Sequence, residues 1–146
     1  MREELQNKLY KKWPKLLSNF KEDEAMNDSP LSWDGISIGD GWYDIVDTLC
    51  ENIVLYLQKY NKSNNDRLDC KVQQIKEKFG GLRFYIDSGD DRIYDLIDKA
   101  ENTSEIVCEL CGTYKDVGKT DGWITTIRKS CHSKINDNRH WRKIGD

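Results

Sequence analysis

The sequence predicts an α+β protein in which N-terminal helices pack on a small antiparallel β-hairpin sheet, followed by a C-terminal zinc-ribbon-like knuckle. Three observations lead to this prediction. Apolar residues recur at spacings of three and four in several stretches, which is typical of amphipathic helices. Alternating stretches flank Phe79-Gly80-Gly81, which indicates a hairpin because glycine reaches the positive φ of tight turns. Three of the five cysteines and both histidines lie after residue 107.

The first helix is predicted from an apolar stripe that Pro14 interrupts. The stripe consists of Leu5, Leu9, Trp13, Leu16, Leu17 and Phe20. Proline lacks an N–H and clashes with the preceding turn, so we expect a kink or two short helices, with Pro14 in the first turn of the second. Residues 21–41 contain Asn27-Asp28-Ser29-Pro30 and three glycines, which predicts a loop.

A second helix is predicted from about Trp42 to Tyr60, with Asp40 as its N-cap. Polar residues 61–66 end it as a surface loop. In the hairpin that follows, Cys70 and Val72 alternate with polar residues, and the partner strand carries an apolar face of Leu82, Phe84 and Ile86. A third helix then runs to about Ser104, with Asp90 as its cap.

Length and composition favour one domain without a membrane segment. The 146 residues predict a single domain, 1–146, with a helix and hairpin scaffold over 1–105 and a metal-knuckle subregion over 106–146. No apolar run approaches the length of a membrane span, and the N-terminal residues do not form a secretory signal. We therefore expect a cytoplasmic protein in a reducing environment, where an odd number of cysteines favours metal ligation over disulfides.

The net charge of −3 is unevenly distributed. Residues 1–114 contain 15 Lys and Arg against 22 Asp and Glu, whereas residues 115–146 contain 8 against 4. A basic tail on an acidic body has two interpretations. It contacts nucleic acid or an acidic protein face, or its cations complement the dipole of a final helix.

The strongest chemical motif is Cys108-Glu109-Leu110-Cys111-Gly112. Two cysteines separated by two residues, with a glycine after them, form a turn that directs both sulfurs at one ion. Cys131 and His132 follow, and then His140. A structural zinc site needs four ligands, so the sequence predicts zinc bound by the three cysteines and one of the two histidines. The alternative is a set of buried thiols or a vestigial site.

A second candidate site lies on the hairpin and in the basic tail. Its predicted binding residues are Lys76, Lys78, Arg83, Tyr85 and Trp141. If the outward residues of both strands share one face, that face can hold phosphate or carboxylate. The alternative is a solvated sheet face with cross-strand pairs. Trp141 is expected to be the most exposed tryptophan.

Several motifs together resemble a family of short uncharacterised proteins encoded by bacteriophages and prophages. They are Trp13-Pro14, Gly39-Asp40-Gly41-Trp42, the segment 74–85 (QIKEKFGGLRFY), Cys108–Gly112 and Gly122–Thr126. In that family a second CxxC-like pair often follows the Gly-Trp segment, whereas this chain has Arg128 at the first position of that pair and keeps Cys131. The resemblance implies a phage context and the cytoplasm of a bacterial host, and it carries over no activity.

These observations lead to two functional hypotheses. The first is a non-enzymatic protein that binds and blocks a host protein or ribonucleoprotein complex, with bacterial anti-phage defence of the CRISPR type as the target class. The alternative is a zinc-ribbon accessory protein that binds nucleic acid. An enzyme is not expected, because the acidic clusters near Asp40 and Asp90 are better explained as helix caps and first-turn carboxylates, and no phosphate-binding glycine loop is present.

Overall fold

The computed structural model describes residues 1–20 and 35–145 as a mixed α+β structure with small sheets. The helices are α1 (Glu3–Lys12), α2 (Tyr43–Ser63), α3 (Asp91–Ser104) and α4 (Lys129–Lys134), with 3₁₀ turns at Ser18–Phe20 and Asp40–Trp42. The strands are β1 (Ile36–Ser37), β2 (Val72–Lys78), β3 (Gly81–Ile86), β4 (Val117–Thr120), β5 (Thr126–Arg128) and β6 (Trp141–Lys143). In these residues, no helix combines the length and apolar character that crossing a membrane requires.

Helix α1 ends before Pro14 rather than bending at it. The residue before a proline is disfavoured in the α conformation, and Trp13 leaves the helix with its N–H still bonded to the carbonyl of Leu9. The expected second short helix is reduced to the 3₁₀ turn at Ser18–Phe20. Leu16, Leu17 and Phe20 are nevertheless buried in the main core, as the apolar stripe predicted.

Most of the loop predicted over residues 21–41 lies outside the described residues. Its described end contains β1, which pairs in parallel with β2 through Ile36 opposite Ile75. A strand of two residues is too short to produce a periodic pattern, and the sequence did not predict it.

Helix α2 begins one residue later than predicted and ends three residues later. The prediction that Asp40 caps it is wrong. The Asp40 carboxylate instead accepts a hydrogen bond from the backbone N–H of Arg2 at 2.8 Å and pairs with the Arg2 guanidinium at 2.6 Å. Asp40 therefore ties the N-terminus of the chain to the turn that precedes α2.

The predicted hairpin is present, with Lys78 opposite Gly81 and a two-residue turn between them. Phe79 and Gly80 both have positive φ, 54° and 78°, as the type I′ turn of two-residue hairpins requires. The resulting sheet has the order β1-β2-β3, with β1 parallel and β3 antiparallel to β2.

Helix α3 packs beside β3 and covers its outer edge. Asp90 caps the helix as predicted, because its carboxylate accepts from the N–H of Ile93 at 3.1 Å. On β3, the N–H of Leu82 donates to Ser104 Oγ at 2.8 Å, and the N–H of Phe84 donates to Glu101 Oε1 at 3.0 Å. Side chains of α3 thus satisfy backbone donors that a strand edge usually leaves free.

The main core lies between the first sheet and the helices. Its fully buried side chains include Trp42, Leu9, Ile53, Ile75, Leu82 and Ile93. Cys50 and Cys70 are buried in it as free thiols, and burial raises the pKa of Cys70 to about 12. Neither sulfur belongs to the cysteine cluster of the C-terminal part.

The C-terminal part forms a second sheet of order β5-β4-β6 around a small apolar cluster of Cys108, Val117 and Ile127. The basic tail does not end in a helix: α4 has six residues, and the chain then returns as β6. On β6, Arg142 pairs with Asp121 at 3.6 Å and Lys143 with Asp116 at 3.8 Å. These surface ion pairs, rather than the dipole of a final helix, neutralise two of the positive charges of the tail.

Candidate metal centre

The first two cysteines lie on a closed turn that follows α3. The N–H of Cys108 donates to the carbonyl of Thr113 at 2.9 Å, and the N–H of Gly112 donates back to the carbonyl of Cys108 at 2.9 Å. Gly112 has φ +76°, a conformation that glycine adopts without strain. We call residues 108–112 the knuckle. Its Cys108 is buried, whereas Cys111 is exposed.

The β4–β5 hairpin and α4 bring the third cysteine to the knuckle. Cys131 lies in the first turn of α4, directly after β5. The sulfurs of Cys108, Cys111 and Cys131 all lie within 4.8 Å of one another, so the three can hold a metal ion. A single ion bound by thiolates at about 2.3 Å fits this separation.

The three thiols share hydrogen bonds and shift one another's acidity. Partial burial of the Cys111 sulfur acts to raise its pKa. The N–H of Thr113, the thiols of Cys108 and Cys131, and the positive charge of Arg128 outweigh burial, so the pKa falls below its ordinary value. Burial, the hydrogen bond with Cys111 and the neighbouring thiols raise the pKa of Cys131 to about 11. Binding of an ion would remove the protons from all three sulfurs.

Neither histidine belongs to the three-cysteine cluster that the described residues form. Among the described residues, neither has a ring nitrogen within 4.8 Å of all three sulfurs. His132 faces Asp137, with Nε2 at 3.8 Å from a carboxylate oxygen and no hydrogen bond. His140 is exposed, and its backbone carbonyl accepts from Asp121. Successive helical residues point in directions about 100° apart, so Cys131 and His132 of α4 do not share one direction.

The glycines at 39 and 41 pack directly against the knuckle. The N–H of Gly41 donates to the carbonyl of Glu109 at 2.8 Å, and the N–H of Gly39 donates to Glu109 Oε1 at 3.0 Å. The buried indole of Trp42 donates to the carbonyl of Val107 at 2.9 Å. Sequence reasoning did not predict this contact, although two glycines before a tryptophan are a signal of close backbone approach.

Glu109, a residue of the knuckle, is half-buried and packs against Gly39. Burial raises the pKa of its carboxyl, the N–H of Gly39 acts in the opposite direction, and the charge of Glu77 raises it further. Because Oε1 accepts a hydrogen bond from Gly39, this carboxyl joins residues 39–41, which we call the glycine loop, to the rest of the knuckle. It therefore has a structural role beside the candidate ligands.

The predicted binding residues of the hairpin share one face. Register places Lys76 opposite Arg83 and Gln74 opposite Tyr85, and directly opposite residues of an antiparallel pair point to the same side. The Lys76 ammonium lies 5.7 Å from the centre of the Tyr85 ring. Among the described residues, no carboxylate lies within ion-pair distance of Lys76, Lys78 or Arg83.

Trp141 does not match its prediction. It is half-buried against the small apolar cluster, and its indole donates to the carbonyl of Ile127 at 2.8 Å. Among the tryptophans that the structure describes, Trp123 is the exposed one, at 76%. Trp141 packs because glycine at position 118 leaves room for its ring against β4.

No protein-family model, curated protein or solved structure matches this chain. The class that the fold and the site define is an α+β protein with a three-cysteine cluster able to hold a metal ion.

Proposed function

We propose that this chain is a non-enzymatic, phage-encoded interaction protein that binds and blocks a protein or ribonucleoprotein of the bacterial host. Defence complexes of the CRISPR type are the target class. One observation carries the proposal: two neighbouring turns hold large aromatic side chains in solvent, with Phe79 exposed at 68% and Trp123 at 76%. Exposed aromatic side chains on fixed backbones are typical anchors of protein interfaces.

Phe79 occupies a turn position at which other residue types would make the folded chain more stable. Type I′ turns prefer Asn, Asp or Gly at this site, because φ is positive. A phenylalanine at φ +54° costs about 1 kcal/mol or more, and an exposed ring recovers little of this by burial. Departures from local preference are concentrated at functional sites, and Phe79 is such a departure.

Trp123 is exposed although its backbone is firmly held. Its carbonyl accepts hydrogen bonds from Thr120 Oγ1 at 2.9 Å and from the Arg139 guanidinium. Asp137 in turn binds that guanidinium through both carboxylate oxygens. The turn therefore presents the indole at low conformational cost, which favours binding.

The two turns are in contact with each other. Thr126 Oγ1 donates to the carbonyl of Gly80 at 2.5 Å, and a side chain at Gly80 would meet Ile124. Phe79 directly precedes Gly80, and Trp123 directly precedes Ile124. We call Phe79, Gly80, Trp123 and Ile124 the two-turn surface.

The metal is part of the proposal as a structural staple, and we propose that it is zinc. The small apolar cluster has three buried members, too few to stabilise this region alone. A structural zinc site contributes on the order of 10 kcal/mol to such a fold. The knuckle also supports the two-turn surface, since the N–H of Glu109 donates to the carbonyl of Thr126 at 3.0 Å.

Three carboxylates of the acidic clusters near Asp40 and Asp90 have structural partners, which favours binding over catalysis. Asp40 pairs with Arg2, and Asp90 caps α3. Asp47 accepts hydrogen bonds from Lys12 at 2.7 Å and from the indole of Trp13 at 2.8 Å. A zinc ion with three thiolates carries a net negative charge, which makes it a poor Lewis acid.

Nucleic acid is the second candidate partner, favoured by the shared face of Lys76, Lys78, Arg83 and Tyr85. Cations with an aromatic ring are typical of single-strand binding. A protein partner is preferred because phosphate affinity grows with the number of cationic contacts, and residues 1–114 have 22 acidic against 15 basic residues.

The test is affinity capture from a lysate of the bacterial host with the full chain and two variants. Phe79→Asn combined with Trp123→Ser removes both anchors, and Leu55→Ser is the control, since Leu55 is 57% exposed on α2. We expect wild type and control to retain one stoichiometric protein or ribonucleoprotein that the double variant loses. Urea unfolding should find the double variant no less stable than wild type.

Retention of the same partner by the double variant, or capture of no stoichiometric partner, would contradict the proposal. Fluorescence anisotropy with single-stranded DNA and RNA tests the second candidate. If the chain bound nucleic acid in a salt-sensitive way, and the double variant Lys76→Gln, Arg83→Gln lost that binding, nucleic acid would be the favoured partner instead.

A further inference from the structure

Strand β6 forms an edge of the second sheet that faces solvent. It pairs with β4 on one side, and in the described part of the chain the sheet ends there. The side chains of Arg142 and Lys143 are 63% and 53% exposed, so solvent reaches this edge. The opposite edge strand, β5, is covered by the knuckle, because the carbonyl of Thr126 accepts a hydrogen bond from Glu109.

The register of β6 shows which of its main-chain groups point away from the sheet. The N–H of Ile144 donates to the carbonyl of Val117 at 3.2 Å, which makes these two residues a hydrogen-bonded pair. Hydrogen-bonded and non-hydrogen-bonded pairs alternate along an antiparallel ladder. Arg142 therefore also bonds to β4. The N–H and C=O groups of Trp141 and Lys143 point outward, where a further strand can reach them.

Two grooves flank β6. One is lined by Trp141, Lys143 and Lys129 of α4, whose ammonium lies 5.8 Å from the centre of the Trp141 ring. The other is lined by Arg142 and by Ile124 of the two-turn surface. Peptides that add to a sheet edge gain affinity from main-chain hydrogen bonds and specificity from pockets for alternate side chains. An edge between two grooves has the form that this binding mode requires.

The charge of the edge favours an acidic occupant. Lys129, Arg142 and Lys143 bring three cations to it. Arg142 lies 3.6 Å from Asp121 and Lys143 lies 3.8 Å from Asp116, and both pairs are exposed. Such pairs are weak, so carboxylates of an incoming segment can compete for the cations. A second copy of this chain fits poorly, because pairing β6 with itself would bring like charges together.

We propose that β6 is a docking edge for an extended acidic segment of the partner protein, which joins the second sheet as a fourth strand. The inference rests on the proposed function and describes its partner further. The edge adjoins the two-turn surface, since the guanidinium of Arg139, two residues before β6, donates to the carbonyl of Trp123. The segment exchanges main-chain hydrogen bonds with Trp141 and Lys143, and its carboxylates face the cations.

The test uses a fluorescein-labelled peptide, Asp-Val-Glu-Val-Glu-Val-Asp, as the probe, with the full-length chain. A peptide with lysine at each acidic position is the matched control. In fluorescence anisotropy we expect saturable binding of the acidic peptide and binding of the lysine peptide that is weaker by about tenfold or more. Amide hydrogen exchange reports the main-chain contacts. With the acidic peptide bound, the amides of Trp141 and Lys143 should exchange about tenfold more slowly, whereas the Arg142 amide is protected in both states.

Proline substitutions separate outward from inward N–H groups. Proline is tolerated on an edge strand where its position faces solvent, so Lys143→Pro should keep the urea unfolding midpoint of wild type. It should weaken the acidic peptide about tenfold, whereas Lys143→Gln, which keeps the N–H, should weaken it only about threefold. Arg142→Pro removes an N–H that bonds to β4 and should lower the unfolding midpoint.

Four results would overturn the inference. Equal affinity of Lys143→Pro and Lys143→Gln for the acidic peptide, or unchanged exchange of the Trp141 and Lys143 amides, means that charge alone holds the peptide. A dimer of wild type in sedimentation that Lys143→Pro abolishes assigns the edge to a second copy. Tighter binding of a single-stranded oligonucleotide than of the acidic peptide at these amides assigns the edge to nucleic acid.

Failure of the docking edge differs from failure of the proposed function. If the acidic peptide did not bind, the edge would lose its role, whereas capture of a host partner through Phe79 and Trp123 would stand. If no host partner were captured while the peptide bound at β6, the edge would stand as a peptide site and the proposed function would fail.

Discussion

Gly41→Ala tests the contact between the glycine loop and the knuckle. A Cβ at this position would lie 2.3 Å from the carbonyl oxygen of Cys108, 2.6 Å from the nitrogen of Gly112 and 2.7 Å from the carbonyl carbon of Glu109. All three atoms belong to backbone, and Cβ atoms essentially never approach other atoms within 3.0 Å. The loop or the knuckle must therefore move.

The cost follows from two contributions. Overpacking of a tight contact costs about 1 to 3 kcal/mol. Separation of the segments also weakens the hydrogen bond from Gly41 to Glu109, which contributes about 0.5 to 1.5 kcal/mol. We expect Gly41→Ala to lower the free energy of unfolding by about 2 to 4 kcal/mol. Strain that is larger in the metal-bound state than in the metal-free folded state weakens cobalt binding, about tenfold for each 1.4 kcal/mol of that difference.

The assay is urea unfolding of metal-free protein, followed by a cobalt titration of each variant. Gly122→Ala is the control, because its Cβ would meet no atom within 4 Å although φ is +73°. The control should lose about 1 to 2 kcal/mol from backbone strain and keep its cobalt affinity. If Gly41→Ala were no more destabilising than Gly122→Ala and bound cobalt as wild type does, the close packing would be refuted.

Three further predictions concern other contacts. Trp42→Phe removes the indole donor to the buried carbonyl of Val107 and should lower the free energy of unfolding by about 1 to 3 kcal/mol in urea. Thr126→Val removes the donor to Gly80 and should cost a similar amount, whereas Thr103→Val, at an exposed helical site, should cost less than about 1 kcal/mol. Arg139 lowers the pKa of Asp137 to about 2 through its hydrogen bonds. Because an unfolded aspartate titrates near about 3.9, the stability this carboxylate provides is complete above that pH and is lost as pH falls toward 2. In unfolding measurements over a series of pH values, Asp137→Asn should abolish this loss of stability at low pH. The same pH dependence in wild type and variant would contradict the prediction.

The elements that the sequence predicted are those with a local signal. Phe79-Gly80-Gly81 indicated the hairpin because a two-residue turn needs positive φ, and Asp90 indicated a helix start because its carboxylate reaches an N–H within the next turn. The cysteine spacing identified three sulfurs that come together. In each case the interaction partners lie within the same short segment or follow from general ligand chemistry.

The missed features depend on contacts between distant segments. Asp40 was expected to cap α2, but Arg2, 38 residues away, takes its carboxylate. No periodicity connects Gly41 with Glu109 or Trp141 with Ile127, so neither the support of the knuckle nor the burial of Trp141 could be predicted. The exposure of Trp123 was missed for the same reason, because its turn is held by Arg139 from a later part of the chain.

The side chains that α3 places along β3 restrict how a partner can engage this protein. Peptides often join a sheet by lying against an open edge and exchanging main-chain hydrogen bonds with it. On β3 the backbone N–H groups of Leu82 and Phe84 already donate to Ser104 and Glu101. These two donors are therefore not available for hydrogen bonds with the main chain of an incoming peptide. Recognition on this side must use side chains, and the same arrangement protects the hairpin from edge-to-edge aggregation.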